Sequence, residues 1–510
     1  MTPPPEMLAA VDMGSNSFRL MIGKVQDSSS GSQIYQVDGM RGAVRLAAGL
    51  TPEKLLDKAA RKRGIDALKR FGERLRGFNP DSVRAVATNT LRVARNAQEF
   101  LSEAEVALGF PIEVIAGREE ARLIYLGASH DAPPCDGNRL VVDIGGGSTE
   151  FIIGQGYTPT LMESLYIGCV SHSRSFFPDG SIDEYAMKQA ELAARREIQI
   201  LAEPYRDAGW SQAVGSSGTA RALAELIELN GFNDAETNGG HGITREGLER
   251  LKRALIKSGD VGQSRLIGLK ADRIPVLPGG LAIMLGVFNE LDIAQMEVTD
   301  GALRLGVLYD LLGRSHHEDM RAVTVEQFKR RYSVDRSQAE RVRSVAVHIL
   351  SQFPEPAHEL REHNLALLGW AASLHEVGLS ISHSGYHKHS AYIASNADMP
   401  GFSKTDQTRL AALLLGHAGK LGKLAGSARF VDWRMLFSLR LALLLCRRRA
   451  DQPLPDIKVT EMGEGEESAA GFEVVLPQSW VANHPLTEFS LAQEAAEWQK
   501  VGRRYKIRYV

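Results

Sequence analysis

Two stretches of the chain carry, in the same order, residue types that suit anion chemistry. Asp12-Met-Gly-Ser-Asn-Ser-Phe-Arg-Leu-Met-Ile-Gly23 and Asp143-Ile-Gly-Gly-Gly-Ser-Thr-Glu-Phe-Ile-Ile-Gly154 match at Asp, Gly, Ser, Ile and Gly, 131 residues apart. Apolar residues precede and follow each, the pattern of strand, glycine-rich turn, strand. Gly145, Gly146, Gly147 and Ser148 form a turn whose amides no side chain shields. Consecutive N–H groups there can make a nest for an anionic oxygen, and the Ser148 hydroxyl adds a donor. Asp12 and Asp143, at the start of each turn, are placed to hold a water on Mg2+ while phosphate fills the nest. An Asx-turn stabilising the hairpin is the alternative. Glu150 follows Ser148 by two, so on a strand both side chains share a face. A carboxylate aimed at an anion site is costly unless it binds metal or handles a proton; otherwise it is a solvated strand residue.

Competing signatures are missing. There is no G-x-x-x-x-G-K-[ST] loop and no H-E-x-x-H, and Gly215-Ser-Ser-Gly218 lacks the spacing of a nucleophile elbow. An offset of 131 residues is too long for a solenoid and fits two domains of common descent. Around the hairpins the pattern alternates. Helical periodicity over Thr51–Arg76 precedes a buried strand at Val83–Ala87, and Thr88 to Arg92 caps a helix. A strand at Ile112–Ile115 leads into a helix from Arg118. Further on come helices over Ile182–Ala202, Thr219–Leu229, Leu281–Leu291 and Gly301–Leu312, with strands ending at Val214 and spanning Met296–Thr299. That alternation predicts an α/β fold. From Arg321 to Arg449 the pattern is helical. Ile457–Pro477 then reads as strand, Gly-Glu-Gly-Glu-Glu turn, strand, in a small α+β cap.

The whole-chain numbers bound the answer. At 510 residues the chain is too long for one core. Hydrophobic residues at 44% and charged residues at 24% exclude disorder, collagen and coiled coil. A net charge of −2 gives no basic excess for nucleic acid. Cys135, Cys169 and Cys446 are too far apart for a disulfide scaffold or a CxxC metal site. The longest apolar stretch, Leu365–Leu374, is half a membrane span, and the Thr-Pro-Pro-Pro start has no signal-peptide pattern. The expectation is a cytoplasmic protein with no integral membrane segment. The balance is uneven along the chain. From Ser315 onward 25 basic residues face 22 acidic ones, and 11 of the 14 histidines lie there.

Ala10-Val-Asp-Met-Gly-Ser-Asn-Ser-Phe-Arg-Leu, Gly117-Arg-Glu-Glu-Ala-Arg-Leu-Ile-Tyr, Val142-Asp-Ile-Gly-Gly-Gly-Ser-Thr-Glu and Gly215-Ser-Ser-Gly-Thr-Ala resemble the exopolyphosphatase/guanosine pentaphosphate phosphohydrolase family, within the actin, sugar-kinase and heat-shock-ATPase superfamily. The resemblance runs from residue 9 to at least residue 400. It implies two ribonuclease-H-like (actin-like) domains closing on a phosphate cleft with Mg2+. Glu120 matches the general base. Asp12, Asp143 and Glu150 match the acids that hold metal and orient water. Ser15, Asn16, Ser17, Gly145, Gly146, Gly147 and Ser148 would line the phosphate. Arg92 matches a phosphate ligand. Arg273, in Ala-Asp-Arg-Ile-Pro, matches a further arginine, although the residues after it differ; a surface ion pair is the alternative for both arginines.

The expected domains are 1–124 and 125–312, ribonuclease-H-like; 313–449, helical; and 450–510, the cap. His375-Glu376, with His383, His387, His389 and His417, resembles the HD phosphohydrolases. Glu in place of Asp lengthens the ligand, and the exopolyphosphatase-family resemblance implies the same degenerate His-Glu form. This HD-like domain is therefore read as a scaffold without hydrolysis of its own, its remaining histidines being hydrogen-bonded helix-packing residues. Arg447 to Arg449 and the last eleven residues, with five Lys/Arg and no acid, are a solvated face or a track for a polyanion.

The expected function is exopolyphosphatase: Mg2+-dependent, processive release of terminal phosphate from inorganic polyphosphate, with Glu120 activating water. One alternative is a guanosine pentaphosphate phosphohydrolase giving the tetraphosphate. Another, of a different class, is a regulator that senses a nucleotide or phosphate. A homodimer is the family expectation.

Overall fold

The structure, a computed structural model, describes residues 6–28, 31–233, 242–315, 319–354, 358–424, 431–451, 453–463 and 470–510. The Thr-Pro-Pro-Pro start and the acidic residues of the Gly-Glu-Gly-Glu-Glu turn lie outside them. The chain forms two compact units, Met1–Asp319 and Met320–Val510.

The first unit repeats one topology twice. Its first sheet joins β1 (Met7–Met13), β2 (Phe18–Ser28), β3 (Gly31–Gly42), β4 (Val83–Ala87) and β5 (Ile112–Val114) in the order β3-β2-β1-β4-β5. Strands β1 to β3 are antiparallel, and β4 and β5 run parallel to β1. Helices α1 (Lys58–Arg74), α2 (Asn89–Val93) and α3 (Ala97–Leu108) make the crossovers, and α4 (Gly117–Asp131) leads out. The second sheet has β6 (Arg139–Ile144), β7 (Thr149–Gln155), β8 (Thr158–Leu165), β9 (Gln212–Gly215), β10 (Ile243–Thr244) and β11 (Gln295–Val298), in the order β10-β11-β9-β6-β7-β8. Its helices are α5 (Cys169–Phe176), α6 (Glu184–Ala208), α7 (Gly218–Leu229), α8 (Arg245–Ser258), α9 (Leu277–Glu290) and α10 (Leu303–Ser315). Again an antiparallel hairpin triplet, β6 to β8, is followed by parallel strands, β9 and β11. The equivalence inferred from the 131-residue offset is thus a repeat of topology.

Burial explains the strand patterns. All five residues of β4 are buried, as a parallel strand covered on both faces requires. The helix expected over Thr51–Arg76 starts only at Lys58, because Asp57 caps it by accepting from Ala60 N at 2.6 Å. Helices α4 and α10 cross closely and join the two sheets. A Cβ on Gly306 would sit 1.7 Å from Leu123 O, and one on Gly127 would sit 2.2 Å from Ala302 O. The border expected at residue 124 falls inside α4, and the one at 312 falls inside α10.

The second unit holds α11 (Met320–Arg331), α12 (Arg336–Leu350), α13 (His358–Leu374), α14 (Tyr386–Asn396), α15 (Lys404–Gly416) and α16 (Trp433–Leu445). These are followed by β12 (Lys458–Met462), β13 (Gly471–Leu476), α17 (Gln478–Ala482), α18 (Pro485–Gln499) and β14 (Arg504–Tyr509). The expected cap shares one core with the helices. Phe437 of α16 stacks on Phe472 of β13 at 4.3 Å and meets Trp498 of α18 edge-on at 5.5 Å. Among the described residues no helix is long and apolar enough to cross a membrane.

Candidate active site

Both hairpin tips come together in the first unit. The ladder places Asp12 opposite Arg19, and Asp143 opposite Glu150. Residues directly opposite on an antiparallel pair share a face, so each pair points the same way. A Cβ on Gly146 would lie 3.2 Å from Ser15 Cβ and 3.6 Å from Asn16 N; one on Gly147 would lie 2.7 Å from Asn89 Nδ2. Gly145 N donates to Ser148 O at 2.9 Å, closing the turn. The Gly145 and Gly146 carbonyls accept from Cys169 N at 2.9 Å and Val170 N at 3.0 Å, at the start of α5. Among the described residues no backbone carbonyl takes the amides of Gly146 and Gly147. Ser15 is buried and accepts from Thr90 Oγ1 at 2.8 Å, while Ser17 accepts from Arg19 Nε at 3.4 Å. Thr88 stands at the N-cap of α2, but its hydroxyl makes no cap bond.

Four carboxyl groups gather behind these loops. Glu120, in the first turn of α4, accepts from Arg92 Nη1 at 2.8 Å. Burial lifts its carboxyl to about 7 against the pull of Arg92, and the charges of Asp12 and Asp143 add to the rise. Glu150 is fully buried and accepts from Ser164 Oγ at 2.8 Å. Burial holds it well above the usual carboxylate range, reinforced by Glu120 and Asp143; Ser148, on the face it was expected to share, bonds to it in opposition. Asp143 is raised by burial, opposed by a 2.7 Å bond from Ser216 Oγ and helped by Asp12. Asp12 is raised by burial and drawn back by Arg304, at 3.5 Å, and by Arg19. The neighbouring Glu119 faces away, paired with Arg122 at 2.8 Å, so the adjacent glutamates divide between cleft and interior.

Guanidiniums surround this acidic centre. Arg92 also bonds Ile115 O at 3.0 Å, and its buried Nε has no hydrogen-bond partner, a donor left for an anion. Burial brings Arg19 down to about 10, and Arg304, Arg41 and Arg221 push the same way by repulsion. Arg273 lies against the start of α7, where a Cβ on Gly218 would come within 2.4 Å of its Nη2, so a larger residue there would displace the guanidinium. Its titratable neighbours are the Cys169 thiol, Asp272, Arg41 and Arg221, so it belongs to the arginine side of the cleft and not to the carboxyl cluster. The surface ion pair is made by its neighbour, with Asp272 meeting Arg41 at 2.8 Å. Sequence reasoning missed Arg19, Arg221, Arg304, Asn89, Thr90, Ser164 and Ser216. Arg19 had a signal, since 131 residues on it becomes Glu150.

Comparison with known proteins places this arrangement. Residues 24–315 match the model of the Ppx/GppA phosphatase family, and residues 320–495 match Ppx/GppA phosphatase, domain III. The chain belongs to the Ppx/GppA phosphatase family. It is 39% identical over 505 residues to the guanosine-5'-triphosphate,3'-diphosphate pyrophosphatase of Aeromonas hydrophila, covering 97% of each chain. With the protein of the same name from Pseudoalteromonas translucida it shares 36% over 504 residues, covering 98% of each. The Ppx/GppA crystal structure from Aquifex aeolicus matches 61% of this chain and 98% of its own at 27% identity, with a TM-score of 0.50. An exopolyphosphatase from Cytophaga hutchinsonii matches 60% of this chain and 98% of its own at 24% identity and TM-score 0.53, which speaks for the fold. As a Ppx/GppA phosphatase the chain is a phosphoanhydride hydrolase of actin-like fold, followed by a helical domain.

In that helical domain His375 donates from Nδ1 to Ala372 O at 2.6 Å, and its Nε2 lies 3.7 Å from Glu376 Oε1. Glu376 is bonded by Arg449, which also holds Asp335 at 2.9 Å. His417 donates from Nδ1 to Leu414 O at 2.6 Å, its ring 5.8 Å from that of His375 and 6.2 Å from that of His387. His383 is exposed and His389 half-buried.

Among the described residues no set of three or more His, Cys, Asp or Glu stands ready to hold a metal ion, in either unit. The donor chemistry of the Ppx/GppA cleft still suits Mg2+. Asp12, Asp143, Glu120 and Glu150 are hard oxygen donors, all with raised affinity for protons and hence a shortage of compensating cation. Mg2+ is usually held by one or two carboxylates, with substrate phosphates and water completing its shell.

Proposed function

We propose that this chain hydrolyses guanosine pentaphosphate, removing the terminal 5'-phosphate and leaving the tetraphosphate. The observation that carries the hydrolytic step is Glu120: buried, fixed by Arg92, and raised to about 7, where a carboxylate can accept a proton near neutral pH. A water held by Glu120 attacks the terminal phosphorus. The new P–O bond forms as the bridging P–O bond breaks, the electron pair leaves on the next phosphate, and the water proton passes to Glu120. The Gly146 and Gly147 amides and Arg92 Nε are donors for the phosphoryl oxygens. Asp12 and Asp143, with Glu150 behind them, would hold Mg2+. When bound, that ion would neutralise phosphate charge and orient the chain.

The choice of substrate rests on relatives of matching length that carry the pyrophosphatase name. It rests also on three of the basic residues that a polyphosphate track would use, each held by an acid within the second unit. Arg449 is paired with Asp335 and Glu376, Lys506 with Glu473 at 2.9 Å, and Lys500 with Glu497 at 2.5 Å. The test is phosphate release from guanosine pentaphosphate and from long-chain polyphosphate, each with Mg2+ and with chelator. Faster turnover of polyphosphate at equal terminal-phosphate concentration would overturn the proposal in favour of exopolyphosphatase activity.

A further inference from the structure

The second unit holds a cavity of about 810 Å³ that the cleft chemistry does not use. Its size is in the range that accepts a small organic ligand. One wall is a face of α12, where Arg336, Ser337, Glu340, Arg341, Ser344 and Val345 recur at helical spacing. From Arg336 to Val345 this wall is about 13 Å long at the helical rise.

The opposite wall runs alongside α12, and its direction can be read from its bonds. Arg449 pairs with Asp335, just before α12, and Asp451 pairs with Arg341 at 2.8 Å. Further along, Gln352 Nε2 donates to Ile457 O at 3.1 Å. Arg448 therefore lies at the Arg336 end, and Pro453 and Leu454 lie towards Val345. The cavity has a cationic end and an apolar end. Trp480 and His484 form its third side, their rings stacked at 4.1 Å and 15° and fixed by the bond from His484 Nδ1 to Trp480 O at 2.7 Å.

We propose that this cavity binds a nucleoside phosphate, with its phosphates between Arg336 and Arg448 and its base against Trp480 and Leu454. A plain polyanion fits poorly, because Asp451 answers Arg341 midway and the far half is apolar. A purely apolar ligand would leave the arginine end unused. A planar ring separated from an anion by a hydroxyl-bearing sugar matches both ends, and Glu340 and Ser344 supply partners for sugar hydroxyls at mid-length. This site is separate from the cleft and does not depend on which anhydride the cleft cuts.

The test is photolabelling of the full chain with 8-azido-ADP, followed by peptide mapping and competition. The expected result is saturable labelling of peptides from 336–345 or 478–487. ADP and GDP should compete about tenfold or more better than adenosine or pyrophosphate. The double variant Arg336→Ser/Arg448→Ser, at exposed positions, should weaken labelling by about tenfold or more while phosphate release in the cleft is unchanged. Trp480→Phe should keep the label and Trp480→Ala should reduce it, with circular dichroism checking that each folds. Labelling confined to cleft peptides, labelling that does not saturate, labelling indifferent to the arginine pair, or pyrophosphate competing as well as ADP would each overturn the proposal.

Discussion

Arg19 and Glu150 occupy the same place in the two hairpins, each directly across its ladder from the aspartate that precedes the turn. One hairpin therefore pairs a carboxylate with a guanidinium, and the other sets two carboxylates side by side. The first pair is nearly neutral. The second cannot ionise fully without an added cation or a shared proton, as the raised Glu150 and Asp143 show. The repeat supplies the geometry, and this single exchange leaves an acid–base pair on one hairpin and a pair of acids on the other.

Glu120→Gln keeps the side-chain shape but removes the base. Turnover should fall by about 10²- to 10⁴-fold, with KM changed little. Steady-state phosphate release over a range of substrate concentrations checks this. Activity within a few-fold of wild type would remove Glu120 from the proton-accepting role.

The rate should depend on pH through the same group. Glu120 must be unprotonated to act, so activity should rise with pH through an acidic limb governed by its raised pKa of about 7. Arg92 lowers that value, so replacing it with Gln removes a stabilising cation and should move the limb to higher pH. A pH–rate profile of Arg92→Gln at saturating Mg2+ tests the direction. A limb that stays in place or moves to lower pH contradicts the assignment.

Behind the base lies a buried ionic network. Asp310 of α10 receives Arg84 at 2.7 Å and is also bonded by Arg122, which holds Glu119. Burial favours its neutral form, yet Arg122, Arg314 and Arg84 outweigh this and hold its carboxyl well below the usual range. A depressed pKa gives stability that is complete above the unfolded-state value, about pH 4, and is lost as pH falls below it. Asp310→Asn should cost about 3–5 kcal/mol at neutral pH, because it removes the carboxylate that buried Arg84 and Arg122 share and leaves Glu113 and Glu119 alone to balance them. It should also flatten the acid dependence of stability. Urea unfolding at pH 7 and pH 3 checks both.

Much of this site was legible in the sequence because its loops are local. A glycine-rich turn between strands keeps its side chains and amides within a few residues, so Asp12, Asp143, Gly145 to Ser148 and Glu150 could be placed by spacing alone. Strand Val83–Ala87 was legible because a fully buried parallel strand is a continuous apolar run. Arg221 and Arg304 were not, since each projects from a helix whose role depends on how the two sheets pack. Helices α17 and α18 were missed for another reason. Leu486 and Phe489 are exposed, so the apolar face of α18 has no clear period, although Pro485 in its first turn is a recognisable start signal.

Metal removal should separate binding from chemistry. Chelation should abolish turnover, and Asp143→Asn should raise the Mg2+ concentration needed for half-maximal activity, by about tenfold for the loss of roughly 1.4 kcal/mol of binding. Mg2+ titration of activity distinguishes this from a structural effect, which would lower the plateau and leave the midpoint in place.

The crossing of α4 and α10 carries both Glu120 and Asp310, so its closeness matters to the site as well as to stability. At Gly306 a Cβ would overlap Leu123 O at 1.7 Å, and the obstacle is backbone, which cannot swing aside as a side chain can. Gly306→Ala must therefore push the helices apart, at a cost of about 1–3 kcal/mol or more. Separation also moves α4 relative to the hairpin loops, and a small misplacement of a general base can cost about 10²-fold. The expected outcome is a lower midpoint of denaturation together with reduced kcat measured well below that midpoint. Gly109→Ala gives a control of similar chemistry. Gly109 has a φ of +82° and nothing within 4 Å of the added Cβ, so it should cost stability through backbone strain and leave kcat intact.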